Sequence, residues 1–277
     1  MKRFSFLALT FLFLLLLAAC GSKETGGNSG DTAKEPAETD SGDGSLAKIE
    51  DSGVLRVGFE GTYRPFNFMG DKSDYDGFDV DISNELAKRM GVKTKFVATS
   101  WESLIGGLKS DKFDVIIAQM SITEERKQSV DFTDPYVVTG AVLITREDTD
   151  GIAKLEDIKG KKVGAGAGTT FADLAESVDG ANVKLYKSIN EYLQDLINGR
   201  LDVIINDQLL MSHNIKEEEL PVKVTSDILS EDEIGMAVKK GSTDLVEKLN
   251  EELAAMIEDG TYEEIYRRWF DSDPVIK

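Results

Sequence analysis

The sequence predicts an α/β protein of two similar lobes, each a mostly parallel sheet flanked by helices. Three observations carry that prediction. Short apolar runs alternate with helical patterns through residues 46–277, and alternation of this kind gives largely parallel strands joined by helices. The stretch "LKSDKFDVIIAQ" (108–119) returns as "LINGRLDVIIND" (196–207): a helix end, a polar turn, a basic residue, then Asp-Val-Ile-Ile. Upstream, "VGFEGTY" (57–63) is matched by "VGAGAGTTF" (163–171), each a strand running into a Gly-Thr turn. One pair would say only that buried strands look alike. Two pairs in the same order indicate two related lobes.

The chain opens on "MKRFSFLALTFLFLLLLAACGSK". Lys2 and Arg3 form a positive n-region, and the apolar run 4–19 is shorter than the roughly 20 residues a spanning helix needs, so it suits a secretory leader. It ends in "LAAC", which matches the bacterial lipoprotein signal. By that match Cys20, the single cysteine, becomes the lipidated first residue of the mature chain, and two or more acyl chains suffice for stable anchoring. The plainer alternative is cleavage after Ala19, with Cys20 an incidental thiol. Residues 21–45 carry no large apolar side chain, so they cannot offset their ordering entropy and read as a flexible tether.

Within the folded part, "VLRVGF" (54–59) reads as a strand and "FDVDISNELAKRMG" (78–91) as a helix, with Ile82, Leu86 and Met90 on one face and Gly91 as its stop. "SWESLIGGLKS" (100–110) is a short helix, and residues 115–118 read as a strand buried on both faces. Leu245, Leu249, Leu253 and Met256 stand at helical spacing near the C-terminus. Composition removes several function classes. The chain has 32 basic against 51 acidic residues, a net charge of −19, which argues against nucleic acid and against electrostatic adhesion to anionic lipid. One cysteine excludes an internal disulfide. One histidine, His213, leaves no zinc cluster and speaks against a histidine-based triad.

Ligands in open α/β sheets bind beyond the carboxyl ends of the strands. In the first lobe those ends deliver residues 60–63 and 119–126; in the second, 166–170 and 206–207. If the lobes face each other, all four segments meet in one cleft. Arg126 is the candidate anion partner, because a guanidinium grips a carboxylate through two parallel hydrogen bonds, with Ser121 and Thr123 beside it. The local string fits equally a surface helix with Thr123 as N-cap, and both can hold together. Asp207, at the end of a buried strand, needs a partner; an ammonium would satisfy it, as would an N-cap role for the helix that follows. A carboxylate clamp facing an ammonium acceptor describes an α-amino acid. Tyr63, Phe66 and Trp101 supply apolar walls, although Phe66 fits the core as well. Glu60 and Gln119 add polar contacts deeper in. The glycines of "GAGAG" lack a Walker lysine and the dinucleotide spacing, so they favour close backbone approach to a small ligand.

The motifs "EGTYRPF", "GFDVDISNELAKRMG", "AQMSITEERKQSVDFTDPY", "GKKVGAGAGTT", "GRLDVIINDQ" and "DGTYEEIYRRWF" together resemble the family 3 extracellular solute-binding proteins, the amino-acid receptors of ABC importers. The resemblance implies a periplasmic-binding-protein-like fold whose lobes are joined by two hinge strands, near 137–142 and 231–236. The expected organisation is a leader (1–19), a lipidated cysteine and linker (20–45), lobe one (46–138), lobe two (139–232), and a return to lobe one (233–277). It assigns a ligand carboxylate to Arg126, Ser121 and Thr170, an amine to Asp207, and walls to Tyr63 and Trp101. Cystine-binding members are the most similar, though "IAQMSIT" departs from their pattern. The implied protein is a monomer without cofactor or metal, lipid-anchored outside the bacterial cell membrane, with an ABC permease and its ATPase as partners. The rivals are a secreted dehydratase on a prephenate-type acid, using Glu60 as general acid, and a ligand-sensing partner of a signalling receptor.

Overall fold

The computed structural model describes residues 43–276; the leader, Cys20 and the linker up to residue 42 lie outside them. Residues 43–45, expected in the tether, instead pack on the body. Ser242 donates to Asp43 at 3.1 Å, and Ser45 Oγ lies 2.9 Å from Ser242 Oγ. Helix α1 (Ser45–Ser52) buries Ile49, and these contacts fix its first turn.

The first lobe comprises β1 (Val54–Phe59), the small antiparallel ribbon β2 (Thr62–Tyr63), β3 (Asn67–Met69) and β4 (Tyr75–Asp76), then α2 (Phe78–Arg89) and β5 (Lys93–Ala98). A 3-10 turn at Trp101–Ser103 leads into α3 (Leu104–Lys109), followed by β6 (Val115–Ile116), α4 (Glu124–Lys127) and β7 (Val130–Phe132). The long β8 (Val137–Arg146) carries the chain into the second sheet. There lie β9 (Lys162–Gly166), α5 (Thr170–Glu176), β10 (Asn182–Tyr186), α6 (Ile189–Ile197), β11 (Val203–Asp207), α7 (Gln208–Glu217), β12 (Val222–Val224) and β13 (Ser230–Ile234). The chain then re-enters the first sheet as β14 (Ala237–Lys239) and ends in α8 (Thr243–Glu258) and α9 (Thr261–Trp269).

The sequence repeat is a topological one. One sheet runs β5-β1-β6-β14-β7 and the other β10-β9-β11-β8-β12. In each, the first three strands are parallel and the strand beside them is antiparallel. The repeated aspartates do matching work: Asp114 accepts the Arg56 N–H at 2.8 Å, and Asp202 accepts the Lys162 N–H at 2.8 Å. Each clips the start of a parallel strand pair. Gly58 and Gly164 also correspond, since a Cβ would stand 2.5 Å from Phe113 in one case and 2.5 Å from Leu201 in the other. A loop side chain can approach the strand backbone this closely only over glycine.

The strand expected over 115–118 pairs only at Val115–Ile116, because the chain turns sharply at Gln119, a non-glycine residue at φ 58°. Both sheets bury apolar faces, and the α8 stripe of Leu245, Leu249, Leu253 and Met256 is buried against the first lobe. Removing one such leucine would cost about 2–5 kcal/mol. The two crossovers, β8 and β13, pair with each other antiparallel, Val137 opposite Ile234 and Ala141 opposite Ser230. They form a ribbon between the sheets. Among the described residues, no helix is long and apolar enough to cross a membrane.

Candidate functional site

Strands β1, β6, β9 and β11 end around one cavity of about 50 Å³, several times what one water requires. From the first lobe come Glu60, Tyr63, Trp101, Gln119, Ser121 and Arg126; from the second, Thr170 and Asp207. Eight of the nine candidate residues thus share one space.

Arg126 lies on α4, whose N-cap Thr123 accepts the Arg126 N–H at 3.2 Å. Thr123 thus caps α4 while Arg126 still lines the cavity. The guanidinium donates to the Ser121 carbonyl at 2.8 Å and, across the cleft, to the Gly168 carbonyl at 3.2 Å. Neither acceptor is a carboxylate. Burial depresses its pKa while Asp173, Asp232 and Glu125 draw it up, and arginine stays charged, so it presents a cation to the cavity. The Trp101 ring lies 5.3 Å from the guanidinium, and its indole N–H donates to the same Gly168 carbonyl at 3.0 Å. Ser121 Oγ and Thr170 Oγ1 approach to 3.4 Å from opposite lobes.

Asp207 ends β11 and caps α7, accepting the Leu210 N–H at 2.8 Å and the Thr139 hydroxyl at 2.7 Å. It is buried and, among the described residues, has no cation in contact, and burial pushes its carboxyl up to about 6. An ammonium reaching it would replace the missing countercharge. Glu60, at the end of β1, is pushed up to about 7, also by burial. Arg126 facing Asp207 across a closed cleft can hold the two charged ends of an α-amino acid, with Glu60 and Gln119 left for its side chain.

Phe66 does not belong to this site. It is wholly buried, stacked beneath Tyr63 with centroids 5.7 Å apart and packed against Phe78 and Phe270. The turn after Tyr63 carries it under the pocket floor into the core. Sequence reasoning missed Asn206 as a side chain in its own right, although its segment was expected. Its Oδ1 accepts from Tyr63 and its Nδ2 donates to Tyr192. It also missed Lys187, Ser188 and Tyr192, around the start of α6, which line the cavity from the second lobe. Tyr192 reads in sequence as one apolar position of an amphipathic helix, and nothing local marks it otherwise.

This fold, with its cleft between two lobes, is that of a solute-binding protein. The chain belongs to the bacterial extracellular solute-binding proteins, family 3, whose pattern matches residues 55–272. It is 37% identical over 233 residues to the L-cystine-binding protein TcyJ of Escherichia coli (strain K12), covering 83% of this chain and 88% of that one. It is 35% identical over 273 residues to the L-cystine-binding protein TcyA of Bacillus subtilis (strain 168), covering 96% and 98%. Among solved structures, an ancestral arginine-binding protein bound to arginine matches with a TM-score of 0.76 at 40% identity, covering 79% of this chain and 98% of that one.

Proposed function

We propose that this chain is the substrate-binding receptor of an ABC importer, closing its lobes on a polar L-amino acid, cystine foremost, and presenting it to the permease and its ATPase. The observation that carries the reading is the placing of Arg126 and Asp207 on one cavity from opposite lobes: a half-buried cation and a buried anion, neither in a salt bridge among the described residues. Closure is the mechanism, because a ligand touching both lobes biases an open–closed equilibrium by its differential affinity for the two states. Cystine is favoured by the two cystine-binding relatives and by the carboxyl and amide of Glu60 and Gln119, which suit a second polar head. Cys20 would hold the receptor to the membrane through lipid, and a single chain carries a complete cleft, which favours a monomer.

The test is a thermal-shift screen of the twenty amino acids plus L-cystine, followed by calorimetry. Saturation at 100 times Kd stabilises a folded state by about 2.7 kcal/mol, so a true ligand raises the melting temperature by several degrees. L-cystine should give the largest rise. A flat response to every amino acid would remove the receptor reading. Glu60 at about 7 would also suit a general acid, so the bound ligand is to be recovered and analysed. A receptor returns it unchanged, whereas a dehydratase would convert a prephenate-type acid.

A further inference from the structure

Asp79, in the first turn of α2, is almost wholly buried, and among the described residues no lysine or arginine touches its carboxylate. Three neutral donors fill it. Asn67 Nδ2 donates to one oxygen at 2.8 Å; Gln119 Nε2 at 2.7 Å and the Tyr136 hydroxyl at 2.9 Å donate to the other. Asn67 in turn accepts the Gly61 N–H at 2.9 Å, so the loop after Glu60 hangs on the same carboxylate. Tyr136 is stacked on Phe78 with planes 5° apart, and its hydroxyl also accepts from Gln119 Nε2 at 3.1 Å. The frame around Gln119 is therefore rigid.

An amide has a donor end and an acceptor end of nearly the same shape, and a neighbour must decide between them. An ionised carboxylate can only accept. Flipping Gln119 would set its oxygen 2.7 Å from Asp79 Oδ1, acceptor against acceptor. The outcome of the lock is visible on the other end of the amide. Gln119 Oε1 is buried and has no hydrogen-bond partner among the described residues, on a side chain whose residue lines the cavity. Buried acceptors are rarely left in that condition.

We propose that Asp79 is a positioning residue that locks Gln119 as an acceptor, so that the cleft selects an amino acid presenting an N–H or O–H donor to Gln119 Oε1. The inference rests on reading the cleft as an amino-acid site and narrows its ligand class. A side-chain guanidinium, ammonium or amide, or the second ammonium of cystine, meets the requirement. A side-chain carboxylate does not, because at neutral pH it has no proton to give.

Calorimetry with L-cystine, L-arginine and L-glutamate as probes tests this at pH 7. Wild type should prefer L-cystine and L-arginine to L-glutamate by at least tenfold. Asp79→Asn can present either amide end to Gln119, so the lock is released. The preference should then fall at least tenfold, chiefly through weaker binding of the two donor-bearing ligands. Gln119→Met keeps the bulk, removes the acceptor and should lose the same preference, which covers an Asp79→Asn protein that fails to fold. Affinities that decline together with their ratios unchanged, in either folded variant, would make Asp79 merely structural and overturn the proposal. A wild type that prefers L-glutamate would overturn it while leaving the receptor reading intact. A wild type that binds none of the amino acids in the wider screen would remove both.

Discussion

The Tyr63 hydroxyl donates to Asn206 Oδ1 at 2.8 Å, joining the turn after β1 in one lobe to the end of β11 in the other. The same oxygen accepts the Asp207 N–H at 2.6 Å, so the clasp is fixed on the residue beside the candidate amine partner. With the Trp101 and Arg126 contacts to Gly168, it describes a cleft drawn shut. Tyr63→Phe should leave the fold intact and remove a bond worth about 0.5–1.5 kcal/mol net. The unliganded protein would then shift toward the open form by roughly two- to tenfold. Small-angle scattering of ligand-free Tyr63→Phe should give a larger radius of gyration than wild type, with the difference gone at saturating L-cystine. Equal values without ligand would mean the clasp does not hold the lobes.

Asp207 is predicted to trade stability for binding. Its carboxyl rises from an ordinary value of 3.8 to about 6 through burial. Below the unfolded value both states are protonated and no penalty exists; as pH rises through 6 the folded state is charged in the interior and the penalty is complete. Asparagine keeps an acceptor for the Leu210 N–H and serves equally as an N-cap. Asp207→Asn should therefore unfold later in urea at pH 7 than wild type, by at most about 3 kcal/mol, and the advantage should vanish near pH 4. Its affinity for an α-amino acid should drop at least tenfold. A variant less stable than wild type at pH 7 would show that a weakened contact with the Thr139 hydroxyl outweighs the relieved charge.

How far the sequence could lead is visible in single residues. The duplicated Asp-Val-Ile-Ile stretch exposed the matching sheets, because Asp114 and Asp202 each clip a strand start through a backbone N–H. Asp207 drew attention because it ends a buried strand, where an unpaired charge is costly, and Arg126 because it follows the polar cluster after β6. Phe66 misled because "GTYRPF" puts two aromatic rings in one turn, and only the packing of Phe78 and Phe270 decides which faces the core. The Asp79 network was out of reach. Its members come from β3, α2, the end of β6 and the entry to β8, and none has a local pattern announcing the others. Tyr192 is hidden for the same reason: its hydroxyl partner, Asn206, lies on another element.

The reading of Cys20 makes a prediction about location alone. If "LAAC" directs lipidation, Cys20→Ser should abolish processing or release the protein from membranes, while residues 21–277 produced without the leader still bind L-cystine as the full mature chain does. Membrane fractionation with a detergent-phase partition separates the outcomes. Cys20→Ser protein that remains with the membrane as wild type does would leave the cysteine an incidental thiol after a cleaved leader.

Arg126 gives the sharpest test of the clamp, because its two structural bonds are to neutral carbonyls of Ser121 and Gly168 and, among the described residues, it forms no salt bridge, although Asp173 and Asp232 favour its charge. Arg126→Ala should weaken amino-acid binding by about 2–5 kcal/mol, the range for truncating one member of a buried charged pair. The apo protein should stay folded, since the half-buried guanidinium gives up only two hydrogen bonds, to the Ser121 and Gly168 carbonyls. Arg126→Lys sets apart charge from geometry. A lysine restores the cation but cannot form two parallel bonds to a carboxylate, so it should recover only part of the loss. Calorimetry on the three proteins, with circular dichroism to confirm folding, gives the order wild type, then lysine, then alanine. Alanine binding as tightly as wild type would place the guanidinium outside the clamp. Lysine matching wild type would mean that the ligand's carboxylate is held by charge alone, without the planar two-point grip.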